Sequence, residues 1–365
     1  MKNFSNIKVL ALMLAYSSFA MADHHAGSKH DSQVKYISYS QIGNPADVLE
    51  VKTEASSALN SGEVRVKVLA APINPSDLLQ ISGNYGVAAV LPARPGSEGV
   101  GRVTEVSPQV KNLKVGQLVL LAIGSTWAEE IVAPAEGFLP LPNLGTLSAE
   151  VIEQLAMSAV NPLTALLMLT SYGDIEEGQW IVQSAANSAV GGYVIQLAKQ
   201  RGIKTVNIVR REGLADDLMA KGADVVLIDG PNLTAQIAKA TNNASIMLAL
   251  DPVGGDTYGR LANSLGYGGT LVTYGVLSGK PATLDTGKVI FNDTRLRGFW
   301  LYKWYQTATT EEMQAAFGQV IPLIANGTLK ANIDSRYTVD QIKQAVTRAW
   351  EGGRNGKVLI VPNPL

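Results

Sequence analysis

Residues 180–211 read WIVQSAANSAVGGYVIQLAKQRGIKTVNIVRR, and this stretch decides the fold. Trp180–Gln183 is a short apolar run that suits a strand buried on both faces. Small residues follow, and apolar residues then recur at helical spacing over Val194–Ala198. Thr205–Val209 is a second, β-branched run. The order of strand, small-residue turn, helix and strand predicts a βαβ unit with a dinucleotide-binding turn.

The turn departs from the usual glycine pattern. Ala186, Ser188 and Gly191 occupy the three fingerprint positions, so only the last is glycine. Small side chains still let a pyrophosphate approach a helix N-terminus, where free N–H groups and the helix dipole favour anions. A tight packing turn between strand and helix, without a ligand, is the alternative interpretation.

Two arginines follow the second strand of this unit. NAD sites place a carboxylate there, about 20 residues past the turn, to hold the ribose 2′-OH. This chain has Arg210 and Arg211 instead, and guanidinium groups suit a 2′-phosphate. The pattern therefore favours NADPH over NADH, the alternative being a solvated pair of charges at a strand end.

Composition excludes several classes of function. The chain has 365 residues, a net charge of −1 and no cysteine, which excludes thiolate zinc sites, disulfides and thiol nucleophiles. All three histidines, His24, His25 and His30, lie in the N-terminal tail. The folded body therefore lacks the histidine that a Ser-His-Asp hydrolase or a histidine-ligated zinc enzyme requires, and no metal site is predicted. Near-zero charge also argues against a nucleic-acid partner.

The N-terminus resembles an export signal over residues 1–22. Two lysines precede an apolar run at Val9–Tyr16 that is too short to span a bilayer, and Ala20-Met21-Ala22 fits a cleavage site. Residues 23–32 form a polar spacer. We therefore expect an exported, periplasmic protein whose mature chain has no membrane span. Translation from Met21 would instead leave the protein in the cytoplasm.

Along the chain, short strands and turns predominate to about residue 142, as in the clean alternation of Glu63–Ala70. Ser76 is a candidate cap for a short helix. From Trp180 strands alternate with helices, and six strands ending at Leu296–Leu301 predict a doubly wound parallel sheet. Two amphipathic helices and a final strand follow. We divide the chain into a β-rich catalytic domain in two parts, 33–160 and 303–365, and an inserted cofactor domain, 161–302.

This order of parts resembles the medium-chain dehydrogenase/reductase superfamily, in its zinc-free quinone-oxidoreductase branch. The chain looks most like the NADPH-dependent trans-2-enoyl-thioester reductases of the mitochondrial type. The resemblance implies an α/β protein with a β-rich GroES-like catalytic domain and a Rossmann cofactor domain. The segments that carry it are LAAPINPSDLLQISGNYG (69–86), PGSEGVGRV (95–103), TWAEEIV (126–132), NPLTA (161–165), the turn and helix over residues 184–198, GGTLVTYG (268–275) and LRGFWL (296–301).

The resemblance also implies a catalytic residue. In the enoyl reductases the tyrosine of a GNYG motif is the proposed proton donor, and Tyr85 matches it. Hydride adds to the β-carbon of the enoyl thioester, and the α-carbon must then receive a proton. A phenol is protonated at neutral pH and can donate. Zinc-dependent relatives carry metal ligands at the positions near Asn74–Asp77 and Gly96–Glu98. In this chain Glu98 is present but the neighbouring ligands are not, so we expect Glu98 to have a structural role.

Cofactor contacts are implied by position. The pyrophosphate would lie against residues 187–191 and the 2′-phosphate against the arginine pair, where Glu212 replaces a third residue that is often arginine. Lys357 matches a cofactor-contacting lysine, although a surface lysine is an equal alternative. The full set is Asn161, Asn187, Ser188, Ala189, Val190, Gly191, Arg210, Arg211, Tyr274, Gly275, Phe299, Trp300, Leu301 and Lys357.

Three functions remain open after the sequence analysis. The first is an NADPH-dependent enoyl-thioester reductase, and the second is an NADPH quinone or small-enone oxidoreductase on the same fold. The third is a non-catalytic NADP-binding protein. The resemblance further implies a homodimer formed through the last strand of the parallel sheet.

Overall fold

A computed structural model describes residues 32–122 and 124–365. The predicted export signal and almost all of the polar spacer, with the three histidines, lie outside the described residues. The chain divides into two compact units. The first contains the chain up to Val160 together with Ala308–Gly327 and Ala331–Leu365. The second contains Asn161–Thr307 and Thr328–Lys330, where the sequence analysis set the domain limits at 161 and 302.

The strands and helices are numbered in chain order. The strands are β1 (Gln33–Ser38), β2 (Glu50–Ala55), β3 (Glu63–Pro72), β4 (Gly99–Val106), β5 (Leu118–Leu121), β6 (Glu130–Pro134), β7 (Phe138–Pro140), β8 (Trp180–Gln183), β9 (Lys204–Val209), β10 (Val225–Ile228), β11 (Leu248–Asp251), β12 (Thr270–Thr273), β13 (Arg295–Gly298), β14 (Ile333–Tyr337) and β15 (Lys357–Ile360). The helices are α1 (Pro45–Val48), α2 (Pro75–Ile81), α3 (Ala149–Ala156), α4 (Asn161–Ser171), α5 (Ala189–Gln200), α6 (Ala215–Lys221), α7 (Leu233–Ala240), α8 (Gly255–Asn263), α9 (Thr286–Asn292), α10 (Leu301–Thr307), α11 (Thr310–Ala325) and α12 (Ile342–Trp350).

The first unit is built on a sheet with the strand order β14-β15-β3-β4-β5-β7, and β6 pairs with β3. Val64, Val66 and Val68 of β3 enter one apolar core, but Arg65 and Leu69 are buried as well, so burial does not alternate as the sequence pattern predicts. The reason is that β3 lies inside the sheet, paired with β15, β4 and β6. The C-terminal strand β15 pairs antiparallel with β3, where Leu359 lies opposite Pro72. The C-terminal strands therefore complete a sheet whose other strands begin at Glu63, while β1 and β2 pair in a separate two-stranded sheet.

Helix α2 begins differently from the sequence prediction. Ser76 lies inside the helix, and Asn74 is the cap instead, with Pro75 in the first turn. The Asn74 N–H donates to Asp77 Oδ2 at 2.8 Å, which is one half of a reciprocal capping box. The prediction was wrong because proline favours the first helical position, so the residue before Pro75 becomes the cap.

The second unit is a doubly wound parallel sheet with the strand order β10-β9-β8-β11-β12-β13. This confirms the predicted α/β fold class. The chain runs outward from β8 through β9 to β10, and then returns to β11 on the other side of β8. The direction of winding therefore reverses between β8 and β11. Ligands of such sheets bind beyond the carboxyl ends of the strands at this switch point.

The last strand of this sheet is shorter than predicted. β13 ends at Gly298, and Leu301 already begins helix α10, so the predicted strand over Leu296–Leu301 was wrong at its second half. Aromatic residues at 299–300 suit a strand as well as a helix start, and apolar runs this short do not distinguish the two.

No single helix among the described residues has the length and hydropathy needed to cross a membrane. Only α3 and α4 taken together, across the break between them, reach those values.

Candidate functional site

The predicted pyrophosphate turn lies at the switch point of the second unit. Ser188 caps helix α5, and its Oγ accepts a hydrogen bond from the Gly191 N–H at 3.1 Å. The N–H groups of Ala189 and Val190, in the first helical turn, hydrogen bond to no acceptor in the described chain. Unsatisfied donors at a helix N-terminus fit an anionic ligand. The turn can therefore hold a pyrophosphate even though two of its three glycines are replaced.

The one fingerprint glycine that remains is required by packing. A Cβ at Gly191 would lie 2.5 Å from the Ala186 carbonyl oxygen and 2.7 Å from its Cα. Helix α5 thus approaches the turn as closely as backbone atoms permit. Ala185 adopts a left-handed conformation with φ of +47°, which costs a non-glycine residue free energy. The strain therefore lies at Ala185, just before the fingerprint positions, whereas Ser188, which replaces one of the glycines, has an ordinary φ of −72°.

The arginine pair stands directly after β9, the neighbour of β8. Arg210 and Arg211 are both exposed, and neither forms an ion pair with another described residue. Glu212 is exposed beside them. Two unpaired guanidinium groups next to a dinucleotide turn are the arrangement that a 2′-phosphate requires. The residues present therefore fit NADPH better than NADH.

Further predicted cofactor residues follow β12 at the same edge of the sheet. The Tyr274 N–H donates to the Asp251 carbonyl at 3.1 Å, and Gly275 packs on Pro252, whose oxygen a Cβ would approach to 2.9 Å. The Tyr274 hydroxyl is buried, and this burial raises its pKa above the ordinary value. The loops after β11 and β12 thus pack against each other at the switch point.

The aromatic segment after β13 is also in the second unit. The Phe299 N–H donates to the Thr273 carbonyl at 2.8 Å, and its ring meets Tyr172 edge-on at 6.3 Å between centroids. Trp300 is 40% exposed and Leu301 begins helix α10. Asn161, the first residue of α4, is buried.

A buried polar cluster, formed by Asn74, Asp77, Glu98 and Lys357, lies in the first unit. The Asn74 side chain donates to Glu98 Oε1 at 2.9 Å, and Lys357 Nζ donates to Asn74 Oδ1. The surface alternative for Lys357 was wrong, since only 6% of the residue is exposed. The cluster joins helix α2, the loop before β4 and the start of β15.

Glu98 connects this cluster to the backbone. Its Oε2 accepts hydrogen bonds from the N–H groups of Ala159 and Val160, each at 2.9 Å. The Thr126 hydroxyl donates to the Glu98 carbonyl at 2.8 Å. The expected structural role of Glu98 is therefore confirmed, because its carboxylate satisfies buried N–H groups that water cannot reach.

Charge in the cluster is unbalanced, with two carboxyl groups facing one ammonium. Burial raises the pKa of Glu98 to about 7 and that of Asp77 to about 6. Burial lowers the pKa of Lys357 to about 8, against the attraction of both carboxylates. The three groups titrate together, since each changes the field at the others. The protonation of the cluster therefore changes across the neutral pH range.

Tyr85 lies in the loop that follows α2, also in the first unit. The residue is half-buried, and the loop is fixed at its start by the Asn84 N–H, which donates to the Leu79 carbonyl at 2.8 Å. At its far end Ala93 and Tyr39 exchange backbone hydrogen bonds of 2.9 and 3.0 Å. The GNYG tyrosine is thus held in a loop that is anchored on both sides.

Sequence reasoning missed Ser184 and Asp251, which lie directly beneath the turn. The hydroxyl of Ser184 donates to Asp251 Oδ1, and both residues are buried. The sequence predicts that Asp251–Gly255 is a loop near the cofactor, but a turn role suffices to explain its residues. The detectable signal was its position, because a carboxylate that ends a central parallel strand lies at the edge where ligands bind.

The fold defines a medium-chain dehydrogenase/reductase. It combines a β-rich unit that includes the C-terminal strand with a six-stranded parallel sheet that carries a dinucleotide turn. The alcohol dehydrogenase GroES-like domain family matches residues 60–143, and the zinc-binding dehydrogenase family matches residues 189–320.

Within this superfamily the chain belongs to the family of mitochondrial-type enoyl-acyl-carrier-protein reductases. It is 35% identical to the mitochondrial enoyl-acyl-carrier-protein reductase of Rattus norvegicus over 91% of this chain and 87% of that protein. The corresponding human protein is 34% identical over 89% of this chain and 88% of its own length.

Solved structures agree with this assignment. A mutant form of enoyl thioester reductase from Candida tropicalis is similar with a TM-score of 0.81 and 28% identity, covering 90% of this chain and all of that one. The complex of Etr1p with NADP and crotonyl-CoA gives a TM-score of 0.82 at 28% identity, with the same coverage. A candidate NADPH:quinone reductase from Bacillus thuringiensis gives 0.81 at 29% identity, covering 91% and 100%.

Proposed function

We propose that this protein is an NADPH-dependent reductase of conjugated double bonds that acts on trans-2-enoyl thioesters. The observation that carries the proposal is the pair of unsatisfied N–H groups at Ala189 and Val190, beside two unpaired arginines at the end of β9. Family membership supports the choice of substrate, because the relatives are named for enoyl reduction and a similar structure holds NADP with crotonyl-CoA.

The cofactor side of the reaction requires binding and orientation. The first turn of α5 would take the pyrophosphate, Arg210 and Arg211 the 2′-phosphate, and Tyr274 and Gly275 the neighbouring ribose. Bound NADPH supplies a hydride. The Gly191 backbone position keeps the helix close enough to present its N–H groups, and the guanidinium pair selects the phosphorylated coenzyme.

Tyr85 is the proposed proton donor. Hydride addition at the β-carbon of the enoyl thioester leaves an electron pair shared by the α-carbon and the thioester oxygen. The Tyr85 hydroxyl would first donate a hydrogen bond to that oxygen, which stabilises the developing charge. The proton would then pass to the α-carbon, and the phenolate would recover a proton from water. The product is the saturated thioester.

Reduction of quinones or small enones is the second candidate. The similarity to a candidate NADPH:quinone reductase supports it at an identity comparable with that of the enoyl reductases. Quinone reduction uses the same hydride but depends less on a placed acid. The two candidates therefore differ in how strongly turnover requires the Tyr85 hydroxyl.

A panel of acceptors separates these functions. NADPH oxidation is measured with crotonyl-CoA, 1,4-naphthoquinone and a small enone, with NADH run in parallel. The proposal predicts the highest kcat/KM with crotonyl-CoA and NADPH. A higher kcat/KM with naphthoquinone would select the quinone reductase, and tight NADPH binding without turnover on any acceptor would select the non-catalytic protein.

We further propose that two copies of the chain associate through β13. All four residues of this edge strand are exposed, and Ile290 and Phe291 on the preceding helix are 71% and 80% exposed. Edge strands with exposed apolar neighbours invite pairing with another chain.

Residues 1–22 are proposed to direct export. Cell fractionation of the full chain against a variant lacking these residues tests this directly. Equal distribution of both forms would contradict it.

A further inference from the structure

The switch point of the parallel sheet is bridged by one carboxylate. Gln183, the last residue of β8, lies opposite Leu250 of β11. Ser184 follows β8, and Asp251 is the last residue of β11. The Ser184 N–H donates to the Leu250 carbonyl at 3.0 Å, and the Ser184 hydroxyl donates to Asp251 Oδ1. The two loops that diverge at the switch point are therefore tied by a side-chain hydrogen bond to a charged acceptor.

The same carboxylate organises the loop that follows β11. Asp251 Oδ2 accepts from the Gly254 N–H at 2.8 Å, and Oδ1 also accepts from the Val253 N–H at 3.2 Å. Gly254 and Gly255 adopt backbone conformations with positive φ of +74° and +57°, which glycine allows without a Cβ penalty. Both oxygens of Asp251 are used, and the residue is fully buried.

The loop after β12 is attached to the same point. The Tyr274 N–H donates to the Asp251 carbonyl, and the N–H groups of Leu277 and Ser278 donate to the carbonyls of Pro252 and Val253 at 2.9 and 3.0 Å. Asp251 thus lies at the junction of three segments. One carries the pyrophosphate turn, the second begins helix α8, and the third carries Tyr274 and Gly275.

The pyrophosphate turn benefits from such support because one of its residues, Ala185, is strained. Ala185 is held at φ of +47°, and a chain released from this geometry would move toward less strained conformations. The Ala186 N–H and Ser188 N–H hold the turn through backbone bonds to Ile208 and Ala185. The Ser184 hydroxyl is the side-chain link that joins the turn to Asp251.

We propose that Asp251 is a positioning residue for the coenzyme and that Ser184 Oγ is its contact with the pyrophosphate turn. The inference rests on the proposed function, since it assigns the turn to NADPH. Without the link, a smaller fraction of molecules would hold the turn in the binding conformation, and the apparent Kd would rise in proportion. The effect is on coenzyme affinity, because the linked loops touch the coenzyme site and no group of Asp251 takes part in proton transfer.

The test is Ser184→Ala in the full chain, with Ser158→Ala as the matched control. Ser158 is also fully buried, but its hydroxyl has no hydrogen-bond partner among the described residues, and it belongs to the first unit. The Kd for NADPH is measured by fluorescence titration, and kcat is measured by turnover at saturating NADPH. The rate of amide hydrogen exchange at residues 253–255 is measured in the coenzyme-free protein.

We expect Ser184→Ala to raise the Kd at least about fivefold, as loss of a hydrogen bond to a charged acceptor does, with kcat changed less than about twofold. Amide exchange at residues 253–255 should accelerate, and Ser158→Ala should change none of these. A lower melting temperature with an unchanged Kd would show a merely structural role and overturn the inference. If the unmodified protein does not bind NADPH, the proposed function and the inference are both overturned. If the unmodified protein binds NADPH and Ser184→Ala binds it with the same Kd, the inference alone is overturned.

Discussion

Lys357 Nζ donates a hydrogen bond to Asn74 Oδ1, although the two residues are 283 positions apart in the sequence. This bond fixes the start of the C-terminal strand β15 to the cap of helix α2. It also brings the Lys357 ammonium to the carboxyl groups of Glu98 and Asp77, both of which raise its pKa by attraction while burial lowers it. The first unit therefore depends on a buried charge cluster that no local segment contains.

Replacement of Lys357 by methionine tests this dependence. The variant leaves two buried carboxyl groups without a cation, so we expect the free energy of unfolding to fall by about 3 to 5 kcal/mol at neutral pH. The deficit should shrink at about pH 5, since Glu98 and Asp77 can then be protonated. Denaturant melts at both pH values measure this. Lys343→Met, at an exposed lysine, is the control, and equal losses in the two variants would contradict the cluster's role.

Glu98→Gln should flatten the pH dependence of stability. The folded pKa of Glu98 is about 7, raised from 4.5, so its stabilising contribution is complete below about pH 4.5 and is lost as pH rises through 7. The melting temperature of the unmodified protein should therefore fall between about pH 5 and about pH 8. Lys357 acts in the opposite direction at higher pH, because its folded pKa is lowered to about 8.

The control for this experiment is Glu136→Gln, at an exposed glutamate of the same unit. We expect the melting temperature of Glu136→Gln to depend on pH as steeply as that of the unmodified protein. Thermal melts across the pH range measure both variants, and a Glu98→Gln slope equal to that of Glu136→Gln would exclude Glu98 as the source. The free energy of unfolding of Glu98→Gln should also be lower. The Glu98 carboxylate accepts three hydrogen bonds, and in glutamine one of its two oxygens is replaced by an NH2 group, which cannot accept.

Arg210 and Arg211 should determine coenzyme preference. Replacement of both by serine removes the two guanidinium groups, and we expect KM for NADPH to rise at least about tenfold because charge-assisted hydrogen bonds to phosphate are lost. KM for NADH should change less than about threefold, since its ribose carries no phosphate. Arg201→Ser, at an exposed arginine after α5, is the control. Equal changes for the two coenzymes would contradict 2′-phosphate binding.

Phe291→Glu tests the proposed association through β13. A charge in an apolar interface is left desolvated, so we expect the variant to sediment as a monomer while the unmodified chain forms a dimer. Met219→Glu is the control, because Met219 is a half-exposed apolar residue elsewhere in the second unit. Sedimentation equilibrium measures the mass. An unchanged mass for Phe291→Glu would place the interface elsewhere.

Local pattern was sufficient to predict the parallel sheet. The strand at Trp180–Gln183, the helix after it and the strand at Lys204–Val209 each follow from apolar spacing within a few residues, and the sheet they begin was confirmed. The end of the last strand was not predictable, since Phe299 and Trp300 fit either a strand or the start of α10. The buried state of Lys357 was equally out of reach, because it depends on Asn74 and Glu98 at the other end of the chain.

Site residues within one motif can be proposed from the sequence, and their roles stay predictions, whereas a contact between two distant segments cannot be proposed in this way. Arg210 and Arg211 follow from their distance to the turn. The bond between Ser184 and Asp251 requires knowledge that β8 and β11 are neighbours, which a sheet order provides and a single sequence does not. Sixty-seven positions separate the two residues, so no local spacing rule connects them.

Turnover of crotonyl-CoA with NADPH by the unmodified chain and by Tyr85→Phe is the most direct measurement of the central claim. The variant removes only the hydroxyl proposed as proton donor, and Tyr267→Phe, at an exposed tyrosine of the second unit, is the control. We predict that Tyr85→Phe lowers kcat at least about tenfold, within the range for loss of a general acid, while its Kd for NADPH is unchanged. Turnover of crotonyl-CoA by Tyr85→Phe at the rate of the unmodified chain would contradict the account.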